Sequence, residues 1–182
     1  IATNTSQWSK VAGSLRVAAT RKSAWGLLDK WAIHIGGGLT HRLDRGDALM
    51  FKENDIAALS EAAESWADTV SRIISGLPVE NDSFTTIEVR NGEDAMAAAR
   101  AWNGRSSRLV LMLDNMSPVE AGEVVNSLDR ENLRELCIIE GSGGVTIESL
   151  SKWADSGVDV VSSSRLNLGV TPSDFSVLFR GA

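Results

Sequence analysis

Apolar residues cluster in short, β-branched runs separated by longer amphipathic stretches. The runs predict strands at Leu15–Thr20, Ala32–Ile35, Ala48–Phe51, Thr85–Val89, Leu109–Leu113, Cys137–Glu140 and Val158–Val161. Between them the spacing turns helical. Ala58, Ala62, Trp66, Val70, Ile73 and Ile74 predict one long helix over 56–74. Glu93–Trp102 is Ala-rich and stops at Asn103-Gly104, a C-cap pair. Ser117-Pro118 starts another helix, with proline in its first turn. Thr146–Ala154 opens on a threonine cap and ends before Gly157.

Alternating strands and helices predict a parallel α/β architecture. Seven strands fit either an open doubly wound sheet or a barrel, and 182 residues fall short of the roughly 250 of a full eight-fold barrel. The chain shows no repeat, low-complexity tract or linker, so residues 1–182 read as one domain.

Polar groups follow the strands, where parallel α/β folds bind ligands. Thr20-Arg21-Lys22 follows the first. Gly36-Gly37-Gly38 and then His41-Arg42 follow the second, and Lys52 the third. The fourth ends at Glu88 and the fifth at Asp114-Asn115. The sixth runs into Ser142-Gly143-Gly144 and the seventh into Ser162-Ser163-Ser164-Arg165. An open sheet concentrates such groups at one switch point, so their spread favours a barrel. Arg21, Lys22, His41, Arg42 and Lys52 form a cationic set for carboxylates or phosphates. Glu88 and Asp114 are placed to hold Mg²⁺, directly or through water. The Ser-Gly-Gly turn offers backbone N–H groups to a phosphate. Taken singly, each has a plainer reading: the glycines as a turn, Asp114-Asn115 as a cap, Arg21-Lys22 as solvated surface. Their joint placement carries the functional one. His34 reads as structural, Cys137 as core, and the six tryptophans mostly as packing.

Composition narrows the setting. Apolar residues make up 43% and charged residues 23%, as in ordinary globular domains. A net charge of -6 argues against nucleic acid or anionic membrane as a bulk partner. The single cysteine excludes an internal disulfide and suggests a reducing, cytoplasmic compartment. No apolar stretch approaches a membrane span, and Ile1-Ala2-Thr3-Asn4 lacks the marks of a signal peptide. A first residue other than Met is expected of a processed or partial chain.

The order of motifs resembles one family, quinolinate phosphoribosyltransferase, also called carboxylating nicotinate-nucleotide pyrophosphorylase. The matching pieces are Ile1-Ala2-Thr3, Ala19-Thr20-Arg21-Lys22, Gly36-Gly37-Gly38-Leu39-Thr40-His41-Arg42, Gly46-Asp47-Ala48 leading to Lys52-Glu53-Asn54, Ile87-Glu88-Val89, Leu113-Asp114-Asn115-Met116, Glu140-Gly141-Ser142-Gly143-Gly144 and Gly157-Val158-Asp159. Each is weak alone; together, in order across nearly the whole chain, they are specific.

The resemblance implies an open seven-stranded α/β barrel (TIM-like), with the family's preceding α/β domain lacking from this chain. It implies that quinolinate attacks phosphoribosyl pyrophosphate and loses CO₂, giving nicotinate mononucleotide and pyrophosphate in NAD biosynthesis. Arg21, Lys22, His41, Arg42 and Lys52 would surround the dicarboxylate. Lys52, Glu88 and Asp114 would be the catalytic residues, with Glu88 and Asp114 facing the ribose and Mg²⁺-bound pyrophosphate. Ser142, Gly143, Gly144 and Ser164 would hold the 5′-phosphate. A homo-oligomer, dimer or hexamer, is implied, in which a neighbour's preceding domain adds an Arg; this chain alone is expected to turn over poorly. The alternatives are a related pyrophosphorylase for another acidic heterocycle, and a non-catalytic barrel that binds a phosphorylated ligand.

This sequence departs from the family pattern at several points. The usual Pro and Arg after Thr-Arg-Lys are Trp25 and Leu28. Lys52-Glu53-Asn54-Asp55 lacks the family's His, and Thr86 stands where a Glu is usual. After the seventh strand, Ser164 and Leu168 stand where Gly and His are common. These changes bear on the acid's identity and the phosphate pocket; the central set of Arg21, Lys22, His41, Lys52, Glu88 and Asp114 is intact.

Overall fold

A computed structural model describes residues 1–78 and 84–179. The elements run α1 (Ala2–Ala12), β1 (Arg16–Ala18), α2 (Leu27–Ile35), β2 (Leu49–Phe51), α3 (Glu53–Leu59), α4 (Trp66–Gly76), β3 (Thr85–Val89), α5 (Gly92–Trp102), β4 (Leu109–Asp114), α6 (Pro118–Arg130), β5 (Cys137–Ser142), α7 (Leu150–Asp155) and β6 (Val160–Ser162). The strands form one parallel sheet in the order β1-β6-β5-β4-β3-β2.

Side chains alternate between the two faces of a strand, and here each face has its own chemistry. Leu109, Leu111 and Leu113 of β4 and Cys137 and Ile139 of β5 are almost wholly buried. They share one core cluster with Ala95, Ala98, Ala99 and Trp102 of α5, Val124 and Leu128 of α6, and Leu150 and Trp153 of α7. The intervening positions carry the polar groups, in layers fixed by register. Glu88, Met112, Glu140 and Val160 lie across from one another in one row. Asp114, Ser142, Ser162 and Ala18 lie across from one another two residues further along. Burial pushes the Cys137 thiol up to about 11, consistent with an inert core residue.

Three expectations need correction. Ala32–Ile35 is the end of helix α2, not a strand. Its buried positions, Asp29, Lys30 and Ile33, recur at helical spacing, while Trp31, His34 and Ile35 are exposed. His34 is therefore a surface helix residue. Among the described residues the sheet has six strands and is not closed by hydrogen bonds. After α2 the chain touches it through a single parallel bridge, Ala18 to Leu39, in which Leu39 N–H donates to Val17 O and Ala19 N–H to Leu39 O, both at 2.8 Å.

The helix over 56–74 is two helices, α3 and α4. Ser65 turns extended and its hydroxyl accepts the Asp68 N–H, so a new N-terminus outcompetes continuation. Arg72 stitches the break by donating to Leu59 O at 2.7 Å and to both Glu64 carboxylate oxygens. The reading of the tryptophans as mostly packing holds, Trp66 being partly buried against the core cluster. Trp8, Trp102 and Trp153 are buried, but Trp25 and Trp31 are 73% and 66% exposed beside Leu27, Leu28 and Ile35. Helix α1 was not legible as an element. It packs on α2 where Gly36 and Gly38 approach it; a Cβ on either would run into Thr5.

Candidate active site

Two adjoining hollows open at the carboxyl end of the sheet. The first, about 190 Å³, is lined by Arg21, Lys22, His41, Arg42, Met50 and Lys52 together with Glu88, Asp114, Glu140 and Ser142. The second, about 520 Å³, is lined by Asn115, Gly143, Gly144, Ser163, Ser164 and Arg165. Thr20, Lys22, Lys52, Glu88, Asp114, Ser142 and Ser162 line both, forming a shared wall. Every residue singled out in the sequence as cationic, acidic or phosphate-binding lies on this double cleft.

Register explains the shared wall. Phe51 pairs with Ile87, so the next residues, Lys52 and Glu88, come side by side, and their side chains form an ion pair. Asp114 closes β4 opposite Ser142, accepts from Asn115 Nδ2 at 2.8 Å and has Arg90 Nε 3.9 Å away. Ser162 Oγ donates to Ser142 Oγ at 3.2 Å. Beyond Ser142, Gly143 and Gly144 both have positive φ, 92° and 62°, so the chain turns on two left-handed glycines that line the second hollow. Gly143 also passes so close to Asn115 that no Cβ fits.

The cations differ in freedom. Arg21 and Lys22 are exposed at the rim. Arg42 is buried; its guanidinium donates to Ala48 O at 3.2 Å and to Met50 Sδ at 2.8 Å, and burial with the nearby Arg21 lowers its proton affinity. Lys30, absent from the sequence reading, lies buried behind them. Its ammonium donates to Thr40 O at 2.5 Å, and burial with the fields of Arg21 and Arg42 pulls it down to about 8. Asp29 beside it accepts from Ala24 N–H at 2.9 Å and Asn167 Nδ2 at 3.1 Å, and Asn167 Nδ2 also reaches Lys22 O at 2.8 Å. That network anchors the Arg21-Lys22 loop to the segment after β6. Glu140, 1% exposed, faces His41 Nε2 through Oε2 at 2.9 Å, while its Oε1 has no partner. Only its place in the Glu-Gly-Ser-Gly-Gly run hinted at this position.

Leu28 and Leu168, the positions where the resemblance implies an Arg and a His, are 67% and 55% exposed and line neither hollow. No group of three or more His, Cys, Asp or Glu side chains gathers as a metal cage among the described residues. Two carboxylates one strand apart, one already tied to Lys52, suit a cation whose remaining coordination comes from phosphate oxygens. Among the described residues no helix is long and apolar enough to cross a membrane.

The family model described as "Quinolinate phosphoribosyl transferase, C-terminal domain" matches residues 1–178. The chain belongs to the quinolinate phosphoribosyltransferase family. It is 36% identical over 172 residues to "Probable nicotinate-nucleotide pyrophosphorylase", carboxylating, of Methanothermobacter thermautotrophicus, covering 92% of this chain and 57% of that protein. It is 33% identical over 184 residues to the chloroplastic carboxylating nicotinate-nucleotide pyrophosphorylase of Arabidopsis thaliana, covering 97% and 52%. The solved nicotinate-nucleotide pyrophosphorylase of Francisella tularensis superposes with a TM-score of 0.73 at 26% identity, over 91% of this chain and 55% of that one. The chain thus spans little more than half the length of these relatives.

Proposed function

We propose that the protein transfers phosphoribose from phosphoribosyl pyrophosphate to quinolinate with loss of CO₂, yielding nicotinate mononucleotide and pyrophosphate. The observation that carries this reading is the wall of Lys22, Lys52, Glu88 and Asp114 common to a cationic hollow and an N–H- and hydroxyl-rich one. A ring diacid fits the first and a 5′-phosphate the second, so their reacting atoms would meet at the wall.

Arg21, Lys22, Lys52 and Arg42 neutralise the two carboxylates and aim the ring nitrogen at the sugar. The nitrogen lone pair forms the new bond to ribose C1′ as the C1′–O bond breaks and its electron pair leaves with pyrophosphate. Glu88 and Asp114 lie beside the positive charge that develops on the ribose and stabilise it. Lys52, paired with Glu88, holds that carboxylate in place. The ring carboxylate next to nitrogen then departs as CO₂, its bonding pair stays on the ring carbon, and a proton takes its place. The turn 142–144 and Ser164 hold the 5′-phosphate throughout. Mg²⁺ delivered with the pyrophosphate would be held by Glu88 and Asp114 and would neutralise charge on the leaving group.

Two wider proposals accompany this. Leu39 marks the seventh strand position of an open barrel, in the order Leu39-β1-β6-β5-β4-β3-β2. The protein acts as a homo-oligomer, dimer or hexamer, and the exposed apolar side chains of Trp25, Leu27, Leu28, Trp31 and Ile35 support it.

The test supplies the native protein with phosphoribosyl pyrophosphate, Mg²⁺ and quinolinate and seeks nicotinate mononucleotide by mass spectrometry. Product is expected from quinolinate, none from nicotinate, and at least about 100-fold less from Lys52→Ala. A folded native protein that makes no product overturns the reading.

A further inference from the structure

His41 has both ring nitrogens engaged. The Arg42 backbone N–H donates to Nδ1 at 2.8 Å. A backbone N–H is only a donor, so Nδ1 must present its lone pair. Nε2 lies 2.9 Å from Glu140 Oε2 and supplies the proton for that bond. An imidazolium would set two N–H donors head to head at Nδ1. The ring is clamped further by an edge-on contact with Phe84, 6.0 Å between centroids at 87°, and by a left-handed backbone at His41, φ 55°.

We propose that Glu140 is a positioning residue that locks His41 as a neutral imidazole protonated on Nε2, so that His41 meets the ligand as an uncharged flat wall selecting a planar ring acid over a flexible diacid. The selection rests on the acid-site reading of the first hollow; the lock does not. Glu140 sits on β5 in the same row as Glu88, one layer below Ser142, and is almost completely buried. Arg42, buried beside His41, lies within the field of Glu140. With both nitrogens taken, only ring carbons remain to touch a ligand, and these favour stacking or edge contact with another ring. Charge for the acid then comes from Arg21, Lys22, Arg42 and Lys52, and shape from His41. The pair also forms a floor: His41 and Glu140 line both the cationic hollow and an apolar hollow beneath it walled by Leu39, Phe84, Val110, Ile138 and Val160.

Long-range ¹H–¹⁵N correlation on the full chain at pH 7 reads the tautomer directly, with exposed His34 as the internal reference. The expected His41 pattern is neutral and Nε2-protonated. Glu140→Gln, whose amide oxygen still accepts, keeps it; Glu140→Leu leaves Nε2 unheld, so the ring turns away from the Arg42 N–H and gives an averaged pattern. Calorimetric titration of quinolinate against glutarate adds the selectivity: the wild-type preference survives in the Gln variant and falls about tenfold in the Leu variant. A charged or Nδ1-protonated His41 in the wild type overturns the proposal, whatever the fate of the Leu variant. A folded Leu variant with an unchanged His41 pattern overturns it too. If the wild-type pattern is as expected but neither acid binds, the lock stands and the acid-site reading and the selection fall.

Discussion

Gly143 is the residue on which the second hollow turns. Its φ of 92° is costly for any other residue, and a Cβ there would strike Asn115. Gly143→Ala is expected to cost about 1–3 kcal/mol in urea unfolding. It should also weaken ribose 5-phosphate binding more than quinolinate binding in parallel titrations. Lys30 supplies a pH signature. Its folded-state affinity for a proton is reduced, to about 8 from 10.5. Between those values the unfolded chain holds a proton that the folded chain has shed, so this group adds stability as pH rises from about 8 to 10.5. The wild type should gain stability relative to Lys30→Met across that window; a flat difference in urea midpoints would contradict it. The motif residues at the site were legible because each follows a strand and carries a charge or a special backbone. Lys30, Asp29, Asn167 and Glu140 were not, because they sit inside a helix, a coil segment and a strand, and act only through partners distant in sequence. Asn167, for instance, bonds Lys22 O and Asp29 across more than 130 positions.

At the scale of elements, β3, β4 and β5 were readable because their short apolar or β-branched runs are buried on both faces. Helix α5 was readable from its Ala-rich run and the Asn103-Gly104 stop, and α6 from its Ser117-Pro118 start, where Ser117 accepts from Glu120 N–H. Local pattern failed at α2, whose apolar end imitates a strand, and at the α3–α4 break, where spacing continues through a cap. Ser65→Ala tests that break. It removes the bond to Asp68 N–H and should cost about 1 kcal/mol in urea unfolding, with unchanged helix content by circular dichroism. No change in the midpoint would mean that the Arg72 bridge alone holds the break.

For the whole molecule, the sheet is deepest at β4 and β5 and thinnest at its ends, β1 with the Leu39 bridge and β2. Hydrogen exchange should rank accordingly: amides of Leu111 and Ile139 slowest, those of Leu49–Phe51 orders of magnitude faster. Equal protection of β2 would indicate a closed sheet. The same architecture puts both hollows on one rim with Lys52, Glu88 and Asp114 between them, so two anions can be bound side by side yet separately. Titrating quinolinate and ribose 5-phosphate into the wild type, Arg21→Ala and Ser164→Asp tests this separability most directly. Arg21→Ala should lose about tenfold or more for quinolinate and stay within about twofold for ribose 5-phosphate, and Ser164→Asp the reverse. If each variant weakens both ligands equally, or if neither ligand binds the folded wild type, the two-hollow account is contradicted.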